Sequence, residues 1–352
     1  MSKGISVVVC TYNGEERLPT TIRHLAYQVV SGGIDWEILI INNASTDNTE
    51  SVSKNEWSKY NRNIPFRVID QPVTGLSAAR QKGFDCAKYD YVIFVDDDNW
   101  LCERYVELSF LIMEQHPHIG VLGGIGEPVF ESTPPDWFEK YSIYYAVGAQ
   151  DEKSGDISDA KGYVYGAGMV VRKPFYQKLK EKGFQSYVED RKKKSLSSSG
   201  DNEICYILRL AGYKIWYDER LEFKHYIPHK RLQWNYFLNL IEGAHRSGVY
   251  LAPYLDLLNN KEIRQQNLKR VWLFRTLNII FQVFKLSKYS VRYILTGHYL
   301  PDKHRKYRRL IGELKGWLSI RTGYAQRYNN LNSLKSDISD QSVEYRKSYV
   351  NI

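Results

Sequence analysis

The segment VVVCTYNGEERL, residues 7–18, joins a run of apolar residues directly to a polar turn and then to a helical pattern. Similar short apolar runs follow at 37–41, 66–69 and 91–95, and stretches of helical character separate them. Continuous apolar strands that alternate with helices are typical of a parallel sheet that is covered on both faces. The first hundred residues therefore predict an α/β fold.

Polar side chains stand at the carboxyl ends of three of these predicted strands. They are Thr11, Tyr12 and Asn13 after the first strand, Asn42 and Asn43 after the second, and Asp96, Asp97 and Asp98 after the fourth. Ligands of open α/β sheets bind beyond the carboxyl ends of the strands. We therefore expect a ligand site at this edge of the sheet.

The strongest single motif is FVDDDNW, residues 94–100. Three carboxylates in a row after a buried strand repel one another unless a cation is bound. Oxygen ligands on a short turn suit Mg²⁺ or Mn²⁺, whose coordination is usually completed by water and substrate phosphates. The alternative is a solvated acidic turn, but the position at a strand end favours a metal site.

Two further turns offer polar groups to the same edge. In INNASTDNT, residues 41–49, the asparagines could bind a nucleotide base, whereas Ser45 or Asp47 could simply cap the next helix. The helix start GLSAARQKG, residues 75–83, carries Arg80, which is either a diphosphate ligand or a surface arginine. Neither turn is specific when it is taken alone.

These four motifs, in this order and at this spacing, resemble those of the family 2 glycosyltransferases, which are inverting enzymes with the GT-A fold. Three further segments extend the resemblance to about residue 250: YGAGMVVRKPFY (165–176), SGDNEICYILRLAGYKIWYDERL (199–221) and HYIPHKRLQWNYF (225–237). The resemblance implies a Rossmann-like, mostly parallel sheet flanked by helices. Beyond it, the sequence predicts a helical C-terminal extension.

The resemblance also implies a role for each matching residue. The residues expected to bind the donor are Thr11, Tyr12, Asn13, Asn43, Arg80, Asp96, Asp97 and Arg191. Asp98 is expected to bind the metal directly, and Asp201 to act as the general base. His225 is either a further ligand of the metal or diphosphate, or a structural hydrogen-bonding histidine.

The implied reaction is an inverting transfer of a hexose from a nucleotide-sugar donor to a hydroxyl group of a glycan or lipid-linked acceptor. The family most often uses UDP as the carrier, and Mn²⁺ or Mg²⁺ is the implied cofactor. Assembly of a bacterial surface polysaccharide or a similar glycan is the implied setting.

Two departures from the family pattern leave alternatives open. Asn42 and Asn43 replace acidic residues, and Gly200 stands where the family usually has Glu. A catalytically inactive relative that only binds a nucleotide sugar would explain both changes. If Asp201 merely capped its helix, Glu203 could be the base. A sugar-nucleotide pyrophosphorylase is a weaker alternative, because the first turn lacks the required Gly-rich loop.

The C-terminal part of the chain carries the positive charge. The whole chain has a formal net charge of +9, and residues 261–315 contain 14 Lys and Arg but three acidic residues. The polar residues Arg275, Asn278, Gln282, Lys285, Lys288 and Arg292 recur at helical spacing. Residues 268–309 are therefore predicted to contact an anionic membrane surface, or else to pack on the protein or on a homodimer partner. No nucleic-acid-binding motif is present, so no nucleic-acid partner is expected.

The amino-acid composition excludes several other classes of protein. The 352 residues are 43% hydrophobic, which excludes global disorder, and the apolar runs are too short for a membrane span. Four cysteines without CxxC spacing argue against a disulfide framework or a zinc site. Because no signal sequence is seen, we expect a cytoplasmic location, which includes the inner face of the membrane. The predicted domains are a donor half (1–118), an acceptor and catalytic half (119–230), the helical extension (231–324) and a flexible tail (325–352).

Overall fold

The computed structural model describes residues 2–188, 199–260, 263–296, 300–321 and 323–350. These residues form the strands β1 (Ile5–Thr11), β2 (Trp36–Asn42), β3 (Phe66–Asp70), β4 (Tyr91–Asp96), β5 (Asn99–Leu101), β6 (Ile119–Phe130), β7 (Gly155–Asp156), β8 (Val170–Arg172) and β9 (Lys214–Ile227). They also form the helices α1 (Leu18–Ala26), α2 (Thr49–Ser58), α3 (Leu76–Cys86), α4 (Tyr105–Gln115), α5 (Phe138–Tyr141), α6 (Lys173–Glu181), α7 (Gly200–Leu210), α8 (Trp234–Gly248), α9 (Ala252–Leu258), α10 (Leu268–Thr296), α11 (Pro301–Ser319) and α12 (Tyr324–Val350).

All these strands belong to one sheet with the order β3-β2-β1-β4-β8-β6-β9-β5, and β7 pairs with β9. The pairs β1–β2, β1–β4, β2–β3 and β6–β9 are parallel, whereas the antiparallel pairs involve the short strands β5, β7 and β8. The long ladders are therefore parallel. This topology, with helices beside the sheet, confirms the predicted α/β fold.

Residues of β1 show why its sequence is apolar without interruption. Val7 and Val9 pack with α1 and α4 on one face, whereas Val8 and Cys10 pack with α3 on the other. Side chains of a strand alternate between the two faces, and both faces are covered here. Every residue of β1 is consequently buried.

The register of the parallel strands brings the predicted polar turns together. Cys10 of β1 lies opposite Asp96 of β4, and Thr11 lies opposite Asn42 of β2. On the other side, Asn99 of the short β5 pairs with His225 of β9. The acidic turn is therefore held between β4 and the far end of β9.

The C-terminal extension is helical, as predicted, and packs on the α/β part of the chain. Asp256 of α9 accepts two hydrogen bonds from the Arg275 guanidinium of α10, at 2.8 and 2.7 Å, and a third from the Tyr324 hydroxyl, at 2.7 Å. This buried carboxylate ties α9, α10 and the start of α12 together. In the described part of the chain, no helix combines the length and apolarity needed to cross a bilayer.

Two parts of this extension contact the rest of the chain. Arg275, one of the polar residues at helical spacing, points inward to Asp256. The segment predicted as a tail coincides largely with α12, in which Tyr328, Leu331 and Leu334 are buried. These side chains recur every three or four residues and form one apolar stripe in an otherwise polar sequence.

Removal of the Asp256 carboxylate should destabilise the fold. We expect Asp256→Ala to lower the free energy of unfolding by about 3 kcal/mol, because the Arg275 charge loses its buried partner. Urea unfolding followed by circular dichroism measures the loss. The control is Asp302→Ala, since Asp302 pairs with Lys140 at an exposed site and should cost less than about 1 kcal/mol. Equal losses in the two variants would show that the buried Asp256 cluster stabilises the fold no more than an exposed ion pair does.

Candidate active site

The two turns that follow β1 and β2 are hydrogen-bonded to each other. The Asn13 N–H donates to the Ser45 hydroxyl at 2.9 Å, and the Gly14 N–H donates to the Thr49 hydroxyl at 2.8 Å. Asp47 accepts a hydrogen bond from the Thr49 N–H at 3.1 Å, while Asn48 holds the N-cap position of α2. These bonds fix the backbone of the predicted nucleotide-binding edge.

The central carboxylate of the acidic triplet is held by α1. Arg17 donates two hydrogen bonds to Asp97, each at 2.8 Å, and the Thr11 hydroxyl donates a third at 2.6 Å. Burial raises the pKa of Asp97, although the bond from Arg17 opposes this shift, and the charge of Asp98 adds to it. A Cβ atom on Gly14 would lie 2.1 Å from the Thr11 hydroxyl oxygen, so only glycine fits beside this cluster.

The third carboxylate faces a histidine and an arginine from the far side of the sheet. The Asp98 carboxylate lies 2.9 Å from an Arg231 guanidinium nitrogen and 3.7 Å from His225 Nε2. Burial alone would lower the pKa of Arg231. The pKa is nevertheless raised, mainly by the charge of Asp98 and to a smaller extent by Tyr236, Asp97 and Asp96. The guanidinium therefore stays charged beside the buried acid.

The donor set at Asp98 suits a divalent cation. His225 Nδ1 lies 2.6 Å from the Tyr145 carbonyl oxygen, and since a carbonyl only accepts, Nδ1 carries the proton. Nε2 faces Asp98, and a ring held through Nδ1–H in this way has the usual orientation of a metal-binding imidazole. In the described part of the chain, no three His, Cys, Asp or Glu side chains already surround one point. A cation here would need further ligands, such as substrate phosphates, and movement of Arg231 away from Nε2, to which it donates at 3.3 Å.

A cavity of about 600 Å³ adjoins this cluster. Its polar side is formed by Arg80, Asp96, Asp201, His225 and Arg231. Its lining also includes the aromatic residues Tyr144, Tyr163, Tyr236 and Trp317, of which the last two lie on α8 and α11. The volume is in the range of small-molecule sites, and the C-terminal extension supplies part of the wall.

Asp201 lies in this cavity in a fixed orientation. Its Oδ2 accepts a hydrogen bond from the Gly166 N–H at 3.0 Å, and its Oδ1 accepts one from the Asn202 N–H at 2.9 Å. The residue belongs to the first turn of α7, where the helix dipole favours a negative charge. Ser199 holds the N-cap position, so Asp201 is not the N-cap of this helix.

Glu203 is used for a different purpose. Its carboxylate accepts hydrogen bonds from the Ser186 hydroxyl, from the Tyr187 N–H at 2.8 Å and from the Tyr254 hydroxyl at 2.7 Å. Burial raises the pKa of Glu203, and these bonds oppose that shift. Because it does not line the cavity, Glu203 is placed to anchor the chain around residue 187 rather than to meet a substrate.

The predicted base-binding asparagine holds a loop. Asn43 donates to the carbonyl oxygens of Gln71 at 3.1 Å and Val73 at 2.6 Å, and it accepts from the Gly75 N–H at 2.8 Å. An aspartate at this position could not donate the first two bonds. The departure from an acidic residue therefore has a structural use here, and the ring of Tyr12 stands exposed nearby at the end of β1.

The structure thus separates the predicted site residues into groups. Arg80, Asp96, Asp201 and His225 line one cavity, whereas Asp97, Thr11 and Asn43 are engaged within the protein. Asp98 contacts two cavity residues, and Arg191 lies outside the described residues.

Sequence reasoning missed three residues of this site, Arg17, Gly166 and Arg231. All three lie inside segments that carry the family resemblance, so that signal was present for each of them. Nothing in the local sequence pairs Arg17 with Asp97, because the two are 80 residues apart.

Comparisons with known proteins match this chain to glycosyltransferases. Residues 6–179 match the family described as Glycosyl transferase family 2. Over 229 residues the chain is 27% identical to the poly(ribitol-phosphate) beta-N-acetylglucosaminyltransferase TarP of Staphylococcus aureus (strain N315), and the match covers 64% of this chain and 62% of TarP. A match of 103 residues to the putative glycosyltransferase EpsH of Bacillus subtilis (strain 168) is 32% identical and covers 29% of this chain and 28% of EpsH.

A crystal structure of S. aureus TarS 1–349 in complex with UDP-GlcNAc aligns with a TM-score of 0.48 and 15% identity, covering 92% of each chain. The matched parts of the two curated relatives amount to less than two thirds of their lengths.

Substitution of Gly166 should lower activity strongly, because Gly166 lies against Asp201 and Arg80. A Cβ atom there would lie 2.7 Å from an Arg80 guanidinium nitrogen and 2.9 Å from Asp201 Oδ2, so both side chains would have to shift. We expect Gly166→Ala to lower turnover about 100-fold, since small misplacements at reacting groups are costly. Steady-state kinetics and thermal melting check this result. The control is Gly32→Ala, where the Cβ meets nothing within 4 Å and activity should persist. Full activity of the Gly166 variant would show that the tight contact is irrelevant.

Proposed function

This chain belongs to glycosyl transferase family 2 through residues 6–179, and we propose that it is an inverting glycosyltransferase acting on a nucleotide-sugar donor. The acceptor we propose is a hydroxyl group of a glycan or lipid-linked saccharide. The observation that carries the proposal is the cavity in which Asp201 lies together with Asp96, His225 and Arg231. A proton acceptor and an anion-binding cluster thus meet at one space of substrate size.

Asp201 is suited to act as the general base. Each of its oxygens accepts one hydrogen bond from the backbone, and each keeps a lone pair for another donor. As the acceptor oxygen attacks the anomeric carbon, its proton passes to Asp201 and the bond to the nucleoside diphosphate breaks. Attack from the face opposite the leaving group inverts the configuration. The bonds from Gly166 and Asn202 hold the carboxylate in place for this transfer.

The departing diphosphate requires positive charge. Arg231 remains charged in the cavity, and Arg80 supplies a second buried guanidinium on the same lining. Asp98 and His225 would hold Mn²⁺ or Mg²⁺, which neutralises charge that develops on the leaving group when it is bound. The two arginines would contribute to the same stabilisation through direct ion pairs with phosphate.

The similarity to TarP suggests a donor, and the lining of the cavity suggests where the acceptor binds. By its name, TarP transfers N-acetylglucosamine to poly(ribitol phosphate), which makes UDP-N-acetylglucosamine the first donor to test. In the cavity lining, Tyr236 and Trp317 are aromatic side chains of the kind on which sugar rings stack. We therefore propose that the acceptor binds along the part of the lining that α8 and α11 contribute and reaches Asp201 from there.

Loss of the base should abolish transfer without affecting donor binding. For Asp201→Asn we expect product formation to fall about 1,000-fold, because proton removal is lost while the shape of the site is retained. Radiolabelled transfer to the acceptor and calorimetric titration with the donor measure the two effects separately. Asp159→Asn is the control, since Asp159 is exposed. A parallel loss of donor affinity in the Asp201 variant would indicate a positioning role instead.

Donor binding should require the metal ion, and binding of that ion should require His225. We expect UDP-sugars to raise the melting temperature only with Mn²⁺ or Mg²⁺, and chelation with EDTA to remove the shift. His225→Ala should weaken the metal-dependent shift, whereas His229→Ala should not, because His229 is exposed and does not line the cavity. A donor-induced shift that EDTA leaves intact would refute the metal assignment.

A further inference from the structure

One side of α10 exposes a row of large apolar side chains. We call this row the outer face of α10, and its apolar members are Leu273, Phe274, Leu277, Ile280, Phe281 and Phe284. Phe274 and Phe284 are 73% and 77% exposed, respectively. Spacings of three and four residues join the six into one stripe along the helix. A continuous exposed stripe of this kind marks an interaction surface rather than ordinary surface scatter.

The opposite side of α10 is fixed by specific contacts. Leu268 and Ile279 are buried in the core, and the Trp272 indole N–H donates to the Trp317 carbonyl oxygen at 2.7 Å. The ion pair between Arg275 and Asp256 lies on this side as well. These contacts set the rotation of the helix about its axis. The outer face is therefore exposed because the residues on the other side of α10 make these contacts with the protein interior.

Positive charges stand at both ends of the outer face. Lys269 and Arg270 are exposed before the apolar stripe, and Lys285 and Lys288 are exposed at its end. Lys285 Nζ lies 4.7 Å above the Phe281 ring, so its stem follows the apolar surface while its charge reaches past it. The sequence of α10 contains no acidic residue that could offset these charges.

The charges decide which partner fits the face. Two copies of the chain that met through their outer faces would bring cations against cations, whether the two helices ran parallel or antiparallel. An anionic lipid surface satisfies both parts of the face, since acyl chains accept the apolar side chains and phosphate groups meet the lysines and arginine. We propose that the outer face of α10 docks the protein on an anionic bilayer, with the helix lying in the interface.

The docked helix is directly connected to the proposed active site. Trp317, which accepts the bond from Trp272, belongs to α11 and lines the cavity. Docking through α10 would thus place lipid one helix away from the proposed acceptor wall. The lipid binding proposed here stands without the transferase activity, because it depends only on α10.

Vesicle flotation with the full-length protein tests the proposal. We expect binding to vesicles of phosphatidylcholine with phosphatidylglycerol, and weaker binding to phosphatidylcholine alone. The triple variant Phe274→Ser, Phe281→Ser and Phe284→Ser should bind the mixed vesicles at least about 100-fold more weakly, because each buried phenyl ring contributes about a tenfold factor. Lys269→Gln with Lys285→Gln should weaken binding mainly to the mixed vesicles, and added salt should do the same to the unmodified protein.

Matched controls separate lipid docking from other causes. Leu111→Ser and Leu318→Ser change leucines that are also about half exposed but lie on α4 and α11, so neither should alter vesicle binding. All variants should keep the melting temperature, since the changed side chains are exposed. Unchanged vesicle binding by the triple Phe variant would overturn the proposal. So would a dimer in analytical ultracentrifugation that the triple variant dissociates while the unmodified protein ignores vesicles.

Discussion

The site depends on one electrostatic constraint, the placement of three successive carboxylates at the buried end of β4. Carboxylates so close together and so poorly hydrated remain charged only if cations come to them. Arg17 approaches Asp97 from the start of α1, and Arg231 approaches Asp98 from the chain beyond β9. The acidic turn thus gathers residues from both halves of the sheet around itself.

Each acid consequently has a different task. Asp97 binds Arg17 and Thr11 and stabilises the junction of β1 with α1, whereas Asp98 lies beside His225 and Arg231 at the edge of the cavity. The short strand β5 enforces this division, because its pairing with β9 sets Asn99 opposite His225. The three acids of the motif are therefore not equivalent: Asp97 is structural, Asp98 pairs with Arg231, and Asp96 faces the cavity.

The C-terminal extension serves the site from outside the α/β core. Its helices α8 and α11 contribute aromatic residues to the cavity lining, and Asp256 of α9 holds α10 in place through Arg275. Because Arg275 is turned inward, the phenylalanines of α10 are turned outward. A buried ion pair in the protein interior thus determines which surface the protein presents to its surroundings.

The sequence determined the strand and helix pattern of the first hundred residues, the edge of the sheet that carries polar residues, and the family. These features are local, since apolar periodicity and turn motifs are read within a few residues. Contacts between residues far apart in the chain were needed to pair Arg17 with Asp97, to make Glu203 the anchor of the chain around residue 187, and to expose the phenylalanines of α10. An α10 sequence that is apolar on several sides, with cations between, is compatible with more than one rotation of the helix. The rotation of α10 is set by Asp256 and Trp317, which are distant in the chain. Both are buried and hydrogen-bond to Arg275 and Trp272, which therefore lie on the inner side of the helix.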